Sequence, residues 1–331
     1  METVKAFLEG LKLARKQSHK NLTIFPLVAS VQGVPDYFTL EEAMGSGLVL
    51  ITEVSEEGQV PQLKLSNSSP KPVLIVAGEE LVGAKQNRIV NVSIMVAGKC
   101  EMLIPVSCVE HGRWAYRSRQ FESGGKMMHA SLRRDHHRAV AKNLEDTAVA
   151  CSDQGMIWEA LALKSARMGV SSPTEAMADL FQGQRDRLGD YLRAFRPVEC
   201  QLGAVFAING QLLGIECFGY QATFQRFFEK LVASYALDAL DWLQEGEFPH
   251  VRPKEVWAFM EDLGRGKFQS LPTVGLGETQ GLEGEVASGA ALTLEGRLIH
   301  LFAFCRDSQE EEAGPRLGYS RFSQRRTRMG Q

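Results

Sequence analysis

Leu202-Gly203-Ala204-Val205-Phe206-Ala207-Ile208-Asn209-Gly210-Gln211-Leu212-Leu213-Gly214-Ile215-Glu216-Cys217, followed at once by Ala222 to Leu243, is the stretch on which the fold turns. Two apolar runs, Leu202–Ile208 and Leu212–Cys217, flank Asn209-Gly210, the residue pair best suited to the two positive φ angles of a tight hairpin turn. From Ala222 onward the period changes. Phe224, Phe227, Phe228, Leu231, Tyr235, Ala239 and Trp242 recur every three or four residues and fall on one face of a long amphipathic helix. An antiparallel hairpin feeding a helix argues against a regular βαβ array and for an α+β fold. Downstream, Ala291–Leu294 and Leu298–Phe304 form a second hairpin around Glu295-Gly296. Gly275-Leu276-Gly277-Glu278, within Val274–Glu285, lacks the spacing and the following helix of a dinucleotide fingerprint and reads as a turn.

Upstream lies a helical block, about 126–195. It comprises Lys126–Ala150, Gln154–Met168 and a third helix with Ser172 as cap, Pro173 at its first position and Glu175 at its third. The apolar stripe of that third helix is Met177, Leu180, Phe181, Leu188, Tyr191, Leu192 and Phe195. The N-terminal third is β-rich: Leu22–Val28, Leu48–Glu53, Gln62–Leu65, Val73–Val76 and the Met102–Cys108 run. Arg88 to Val96 reads as one alternating strand, with Val90, Val92, Ile94 and Val96 on one side. Thr3–Lys16 has helical spacing, and Thr39-Leu40-Glu41-Glu42 is a capping box. The expected fold is α+β: a largely antiparallel β core from the N- and C-terminal segments, the helical block, and the long amphipathic helix at about 222–243. Residues 1–306 are expected to form a single domain. Residues 307–331, with Arg316, Arg321, Arg325, Arg326 and Arg328, read as a flexible basic tail.

Composition narrows the function classes. With 331 residues and 44% hydrophobic content the chain can bury a large core, which excludes disorder and a disulfide-stapled mini-protein. Lys plus Arg number 37 against 40 Asp plus Glu, so there is no basic excess of the kind a nucleic-acid binder shows. The six cysteines contain no C-x-x-C pair, and no secretory signal or run of 18 apolar residues is present. Free thiols and a cytoplasmic location are the resulting expectation.

Two segments concentrate polar chemistry. Gly78-Glu79-Glu80-Leu81-Val82-Gly83-Ala84-Lys85-Gln86-Asn87-Arg88 approaches a phosphate loop, but Lys85 comes one position late, Gln86 stands where Ser or Thr would hold Mg²⁺, and a strand follows instead of a helix. A Gly-rich turn remains, with two carboxylates, a lysine, two amides and an arginine; by parity Lys85, Asn87, Asn91 and Ser93 share one face. In the second segment, Ile104 to Trp114, a strand ends on Glu110, a possible general base. Beyond it stand His111, Arg113 as a bidentate clamp, and Trp114, either a stacking face or a core residue. Cys108 beside His111 suggests a thiolate, against the ordinary burial of cysteine in strands. The two segments are expected to meet in space. His129, Arg133, Arg134, His136, His137 and Arg138 make a basic helix face, but His129 and His136 lie about 10 Å apart along the axis, too far to share a metal. Ser152-Asp153-Gln154 opens a helix, with Ser152 as its cap and Asp153 and Gln154 free to face a ligand.

These motifs resemble a known family. Gly78-Glu79-Glu80, Gly83 through Arg88, Pro105 through Glu110 and Gly112-Arg113-Trp114 carry the similarity. Ser152-Asp153-Gln154, Trp158, Ser172, Thr174, Gly203-Ala204-Val205, Gly210 and Gly214 add to it, over roughly Asn21 to Phe304. The family is that of domains associated with ADP-ribosylglycohydrolases (ARG) and rhodanese-phosphatase-superfamily proteins. His111 departs from it, since Gln is more common there, and is given no catalytic role. The resemblance implies a place in ADP-ribose or NAD-derived nucleotide metabolism and an ADP-ribosylglycohydrolase-type enzyme as partner.

The leading expectation is a protein that binds, and in its fuller form processes, an ADP-ribose-like or NAD-derived nucleotide in a polar pocket formed by segments 78–93 and 107–114. Lys85, Gln86, Asn87, Arg88, Arg113, Trp114, Asp153 and Gln154 are its ligand-binding residues; Glu79, Glu80 and Glu110 are its carboxylates for ribose hydroxyls or acid–base work. Two alternatives stand beside it: a non-catalytic scaffold for an ADP-ribose-handling enzyme, and a metal-assisted hydrolase using Glu79, Glu80 and Asp153. Whether the chain is an enzyme is left open. No cofactor and no metal ligand is assigned, and neither a membrane nor a nucleic acid is expected as partner.

Overall fold

A computed structural model describes residues 2–30, 33–246 and 248–306; the basic tail read at 307–331 lies outside the described residues. The chain opens with α1 (Glu2–Gly10), β1 (Lys12–Leu13), β2 (Gln17–His19), β3 (Leu22–Val28), β4 (Phe38–Thr39) and α2 (Leu40–Gly45). Next come β5 (Val49–Glu53), β6 (Gln62–Asn67), β7 (Val73–Ile75), β8 (Glu79–Gly83), β9 (Arg88–Val90), β10 (Ile94–Val96), β11 (Cys100–Cys108) and β12 (Phe121–Met127). The helical block is α3 (Ala130–Thr147), α4 (Gln154–Arg167), α5 (Met177–Gly183) and α6 (Arg185–Ala194). It is followed by β13 (Gln201–Ile208), β14 (Gln211–Phe218), α7 (Gln221–Asp241) and α8 (Pro253–Arg265). The last strands are β15 (Lys267–Leu271), β16 (Glu278–Glu283), β17 (Ala287–Leu294) and β18 (Arg297–Cys305).

The fold is α+β, as the sequence implied. A nine-stranded antiparallel sheet runs β1-β3-β13-β14-β18-β17-β16-β15, with β2 also on β3, so its strands come from both ends of the chain. The decisive hairpin lies at its centre: Asn209 and Gly210 take φ of 52° and 76°, and Glu295 and Gly296 repeat the turn at 51° and 72°. The N-terminal third builds a separate β body from a six-stranded sheet, β12-β8-β9-β11-β6-β5, and a three-stranded sheet, β10-β7-β4. One face of the nine-stranded sheet packs on α1 and α8 through Val4, Leu8, Val256, Phe259 and Leu263. Its other face, with Phe206, Phe218 and Phe304, shares a core with α7 and the helical block. A third core, including Ile51, Leu65, Leu81, Val90 and Ile104, fills the β body.

The long helix α7 sits between these layers and is buried on more than the single face its period implied. Four of its polar side chains are buried too, each with a partner. Thr223 meets the Tyr37 hydroxyl, Lys230 meets Glu79, Ser234 donates to the Met128 carbonyl, and Asp238 takes Lys164.

Other boundaries differ from expectation for local reasons. The Arg88–Val96 strand is two strands: β9 pairs with β8 and β11, whereas β10 pairs with β7. The chain crosses between sheets at 91–93 while Val90, Ile94 and Val96 stay in one core. Lys126 belongs to β12, and the helix begins at Ala130, with His129 as its cap. Glu175 takes φ of 52°, so the expected third helix starts only at Met177 and breaks again at Gln184. Ser172 still caps the preceding turn, accepting from Ala176 N and donating to Asp179. Asp153, not Ser152, caps α4. The helix α8 and strands β15 and β16 were not read from the sequence. The signals for α8 were Pro253 at its first turn and Glu255, whose carboxylate accepts from Arg252 N. None of the six cysteines is in a disulfide.

Candidate functional site: a buried arginine beneath an exposed tryptophan

The turn from β8 to β9 places the site. Gly83 at φ 129° and Ala84 at φ 40° bend the chain so that residues 84–88 lie against the segment following β11. The two motif segments therefore meet. Glu110 is the clasp: its Oε2 accepts from Asn87 N at 3.0 Å and from Arg113 Nη2 at 2.7 Å, and its Oε1 from Arg113 Nε at 2.9 Å. Arg113 also donates to the carbonyls of Gly83, Ala84 and Ala115 and to Asn87 Oδ1. Its fork is filled by protein, so it frames the turn. Burial works to raise the Glu110 pKa, but hydrogen bonds from Arg113 and Asn87 outweigh it and hold the carboxyl below its ordinary value. Glu110 is therefore ionised and occupied.

Arg88 is different. It stands opposite Leu81 on β8 and Cys108 on β11 and is 0% exposed. Nη1 donates to the Gln86 carbonyl at 3.1 Å and to Gln86 Oε1 at 3.2 Å. Nε and Nη2 are buried without a hydrogen-bond partner, and the paired acid, Glu53 at the end of β5, has its Oε1 4.0 Å from Nη2. Glu53 Oε2 is likewise buried and unpartnered. The Trp114 ring centroid lies 5.7 Å from the guanidinium carbon, and the residue is 48% exposed, so it is not a core residue. Lys85 sends Nζ to the Glu57 carbonyl at 2.7 Å, with the Trp114 and Tyr116 rings 5.3 and 5.1 Å away. Gly58, at φ 76°, brings its loop close: a Cβ there would lie 3.2 Å from the Lys85 side chain and 3.4 Å from both Glu53 Oε2 and Trp114. Glu53, Gly58 and Tyr116 were missed in the sequence, where Glu53 ends an ordinary strand and Tyr116 lies beyond the motif.

The remaining residues have other duties. Gln86 Nε2 donates to the His111 carbonyl. Asp153 Oδ1 accepts from Gly155 N and Met156 N, and Gln154 pairs with both the N–H and the carbonyl of Cys108, extending β11. Glu79 accepts from Val76 N and from Lys230 Nζ on α7. Glu80 lies under Gly124 with both oxygens buried and unpartnered. Burial, aided by Glu110 and Asp179 and opposed by Lys126, pushes it up to about 7. Burial also pushes the Cys108 thiol up to about 11, which removes the thiolate reading. Glu79, Glu80 and Asp153 are thus held in separate surroundings, and among the described residues no group of three or more His, Cys, Asp or Glu is placed to hold a metal ion.

Asn91 and Ser93 do not share a face with Lys85 and Asn87, because the chain changes sheets there. Asn91 Oδ1 accepts from Ser107 Oγ and faces His136 Nε2 at 3.2 Å, and Ser93 Oγ lies 2.8 Å from His300 Nδ1. The basic face read on Lys126–Ala150, now α3 with its cap, is turned inward at its histidines. Burial, with nearby positive charge, lowers His136 to about 3; burial and Arg133 and Arg138 lower His137 to about 4 against the Gly289 carbonyl. His129 and His300 are lowered as well, burial being the first cause.

A pH dependence follows. Below pH 6.5 the unfolded chain protonates imidazoles that the folded chain keeps neutral, so stability falls as pH drops from about 6.5 toward 4, by about 2 kcal/mol per imidazole at pH 5 for His136 and His137. Glu80, raised to about 7, acts with the opposite sign in the same window, and the histidines outweigh one carboxyl. Melting temperature should drop between pH 7 and pH 5, and His137→Gln should shallow that slope; an unchanged slope contradicts the buried neutral state.

Among the described residues no helix is long and apolar enough to cross a membrane. No curated protein and no solved structure matches the chain. A family model does, over residues 10–304: the ARG and Rhodanese-Phosphatase-superfamily-associated Protein domain, ARPP-1, whose description associates it with those enzyme groups. The match spans the β body, the helical block and the nine-stranded sheet together with every residue of the arginine site, and the chain belongs to the ARPP-1 family.

Proposed function

We propose that the Arg88 site binds the diphosphate of an ADP-ribose-like or NAD-derived nucleotide. The observation that carries this is the buried guanidinium with two unsatisfied donors, Nε and Nη2. Buried donors left unpaired are costly, and native structures rarely keep them without a partner or a role. Nε and Nη2 form one edge of the planar fork, the geometry that takes two oxygens of a phosphate. Lys85 adds a compact positive charge beside it. Trp114 and Tyr116, each about half exposed, offer ring faces to a base or ribose. Glu53 Oε2, an acceptor without a donor, suits a ribose hydroxyl.

In this reading Glu110 and Arg113 hold the frame, Gln154 pairs with the end of β11, and Asp153 caps the helix that carries Gln154. Glu80 stands opposite Ile89, the neighbour of Arg88 on β9, and so lies on the other face of the sheet from the guanidinium. The family association with ADP-ribosylglycohydrolases supports an enzyme of that type as the partner that supplies or takes up the ligand.

A thermal-shift panel tests the class of ligand. ADP-ribose, NAD and ADP should raise the melting temperature of the full chain, with adenosine and ribose giving little, because only the first three bring a diphosphate to Arg88. The shift should not require Mg²⁺ or Mn²⁺. Equal responses to adenosine and ADP-ribose would contradict diphosphate recognition.

A further inference from the structure

The Arg88 guanidinium is 0% exposed, yet its Nε and Nη2 have no hydrogen-bond partner. A ligand that meets those nitrogens has to pass whatever covers them. Residues 54–61, the connection from β5 to β6, lie across the approach. Gly58 is the point of contact. It sits so close to its neighbours that a Cβ there would lie 3.2 Å from the Lys85 side chain and 3.4 Å from Glu53 Oε2 and from Trp114. Glu53 and Trp114 are themselves the acid and the ring that face the guanidinium.

This connection is lightly held between firm ends. Its own turn is closed by Gly58 N, which donates to the Ser55 carbonyl at 3.0 Å. From Ser55 to Val60, two hydrogen bonds tie it to other segments among the described residues. Lys85 Nζ donates to the Glu57 carbonyl at 2.7 Å, and the Tyr116 hydroxyl donates to the Glu56 carbonyl at 3.2 Å. Among the described residues none of its side chains joins a hydrophobic core, and Val60 is 40% exposed. At its far end Val106 N donates to the Pro61 carbonyl at 3.0 Å, and at its near end Glu53 is paired with Leu63 across β5 and β6. A segment with few buried apolar contacts between anchored ends opens locally while the rest stays folded.

We propose that residues 54–61 are a lid that opens to admit the diphosphate to Arg88 and closes over it, with Lys85 and Tyr116 as its latches. The role of the lid rests on the diphosphate reading of the arginine site. Lys85 Nζ has three donors and uses one on Glu57, so it can hold the lid and a phosphate oxygen together. The apparent affinity is set by the fraction of molecules that are open, because the closed form without ligand does not bind. Tyr116→Phe keeps the ring and removes the hydroxyl, and should raise the open population by about 2- to 12-fold, the equivalent of one hydrogen bond. Gly58→Ala acts in the same direction, because alanine is strained at a φ of 76°.

The test is modification of the full chain by phenylglyoxal, an arginine reagent, with the rate at each arginine read by mass spectrometry. Without nucleotide, the labelling rates do not depend on which ligand the site takes. Arg133, 4% exposed and paired with Glu216 in the interior, reports wider unfolding. In wild type Arg88 should react faster than Arg133. Both variants, with folding checked by melting, should raise the Arg88 rate by the factor given and leave the Arg133 rate unchanged. ADP-ribose should slow the reaction at Arg88. Equal rates at Arg88 and Arg133 in wild type, or an Arg88 rate that neither folded variant raises, overturns the lid. Should Gly58→Ala not fold, Tyr116→Phe decides alone. If the variants act as expected and ADP-ribose gives no protection, the lid over Arg88 stands and the diphosphate reading fails.

Discussion

Asp238→Ala should destabilise the protein by about 3–5 kcal/mol, the cost of breaking a buried charge pair from one side. Asp238 is 0% exposed in the last turn of α7. Its Oδ2 accepts Ser131 N at 2.7 Å, and its Oδ1 takes Ser131 Oγ and Lys164 Nζ, each at 2.7 Å, with His129 Nδ1 3.1 Å away. One carboxylate therefore ties α7 to the first turn of α3 and to α4. Removing it leaves the Lys164 ammonium, 1% exposed, with Asp241 as its remaining acid, and strips an acceptor from the start of α3. Burial opposes ionisation of Asp238, yet Lys164 and His129 outweigh it and hold the carboxyl far below its ordinary value. That stability is present above the unfolded aspartate pKa and is lost only as pH falls below it, a more acidic window than that of the histidines. Denaturant melts check the prediction; a loss under about 1 kcal/mol would mean that the helical block does not depend on this junction. Asp238→Asn, which keeps the shape and loses the charge, should fall between the two.

The second large effect is on binding. Trp114→Ala should weaken nucleotide affinity by roughly 5- to 150-fold, the range of about 1–3 kcal/mol for a stacked base. The same change should alter folding stability by less than about 1 kcal/mol, since Trp114 is 48% exposed and rests on Lys85 and Arg88 at the surface. Arg88→Gln should weaken binding further, because charge-assisted hydrogen bonds contribute about 1.5–3 kcal/mol each. It also leaves Glu53 buried without its cation, so it lowers stability as well. Trp114→Ala therefore gives the cleaner readout, and calorimetric titrations paired with melts on both variants separate binding from folding. Unchanged affinity in folded Trp114→Ala removes the tryptophan from the site.

How far the residues announced this structure varies by region. The two Gly-containing hairpins and the phenylalanine period of α7 were legible because turn chemistry and side-chain spacing are local. The break between β9 and β10 was not. The alternation of Val90, Ile94 and Val96 is the same whether one strand crosses a core or two strands meet at it. Strands β15 and β16 were hidden because Phe268, Leu271 and Leu282 are spread among polar residues. For the site, the density of polar residues at 78–88 and 110–114 located the meeting of the two segments. It did not distribute their roles. Arg113 and Arg88 look equivalent in sequence, yet one fork is filled by carbonyls of its own turn and the other is buried with open donors. Glu53 and Ser93 acquire meaning only through partners far along the chain, 35 residues to Arg88 and 207 to His300.

The central claim rests on what meets the free edge of the Arg88 guanidinium. A crystal structure of the full chain with ADP-ribose tests it most directly. Phosphate oxygens should lie about 3 Å from Arg88 Nε and Nη2, with a ribose or adenine ring against Trp114. A nucleotide bound elsewhere, with those two nitrogens satisfied by Glu53 or by water alone, would contradict it.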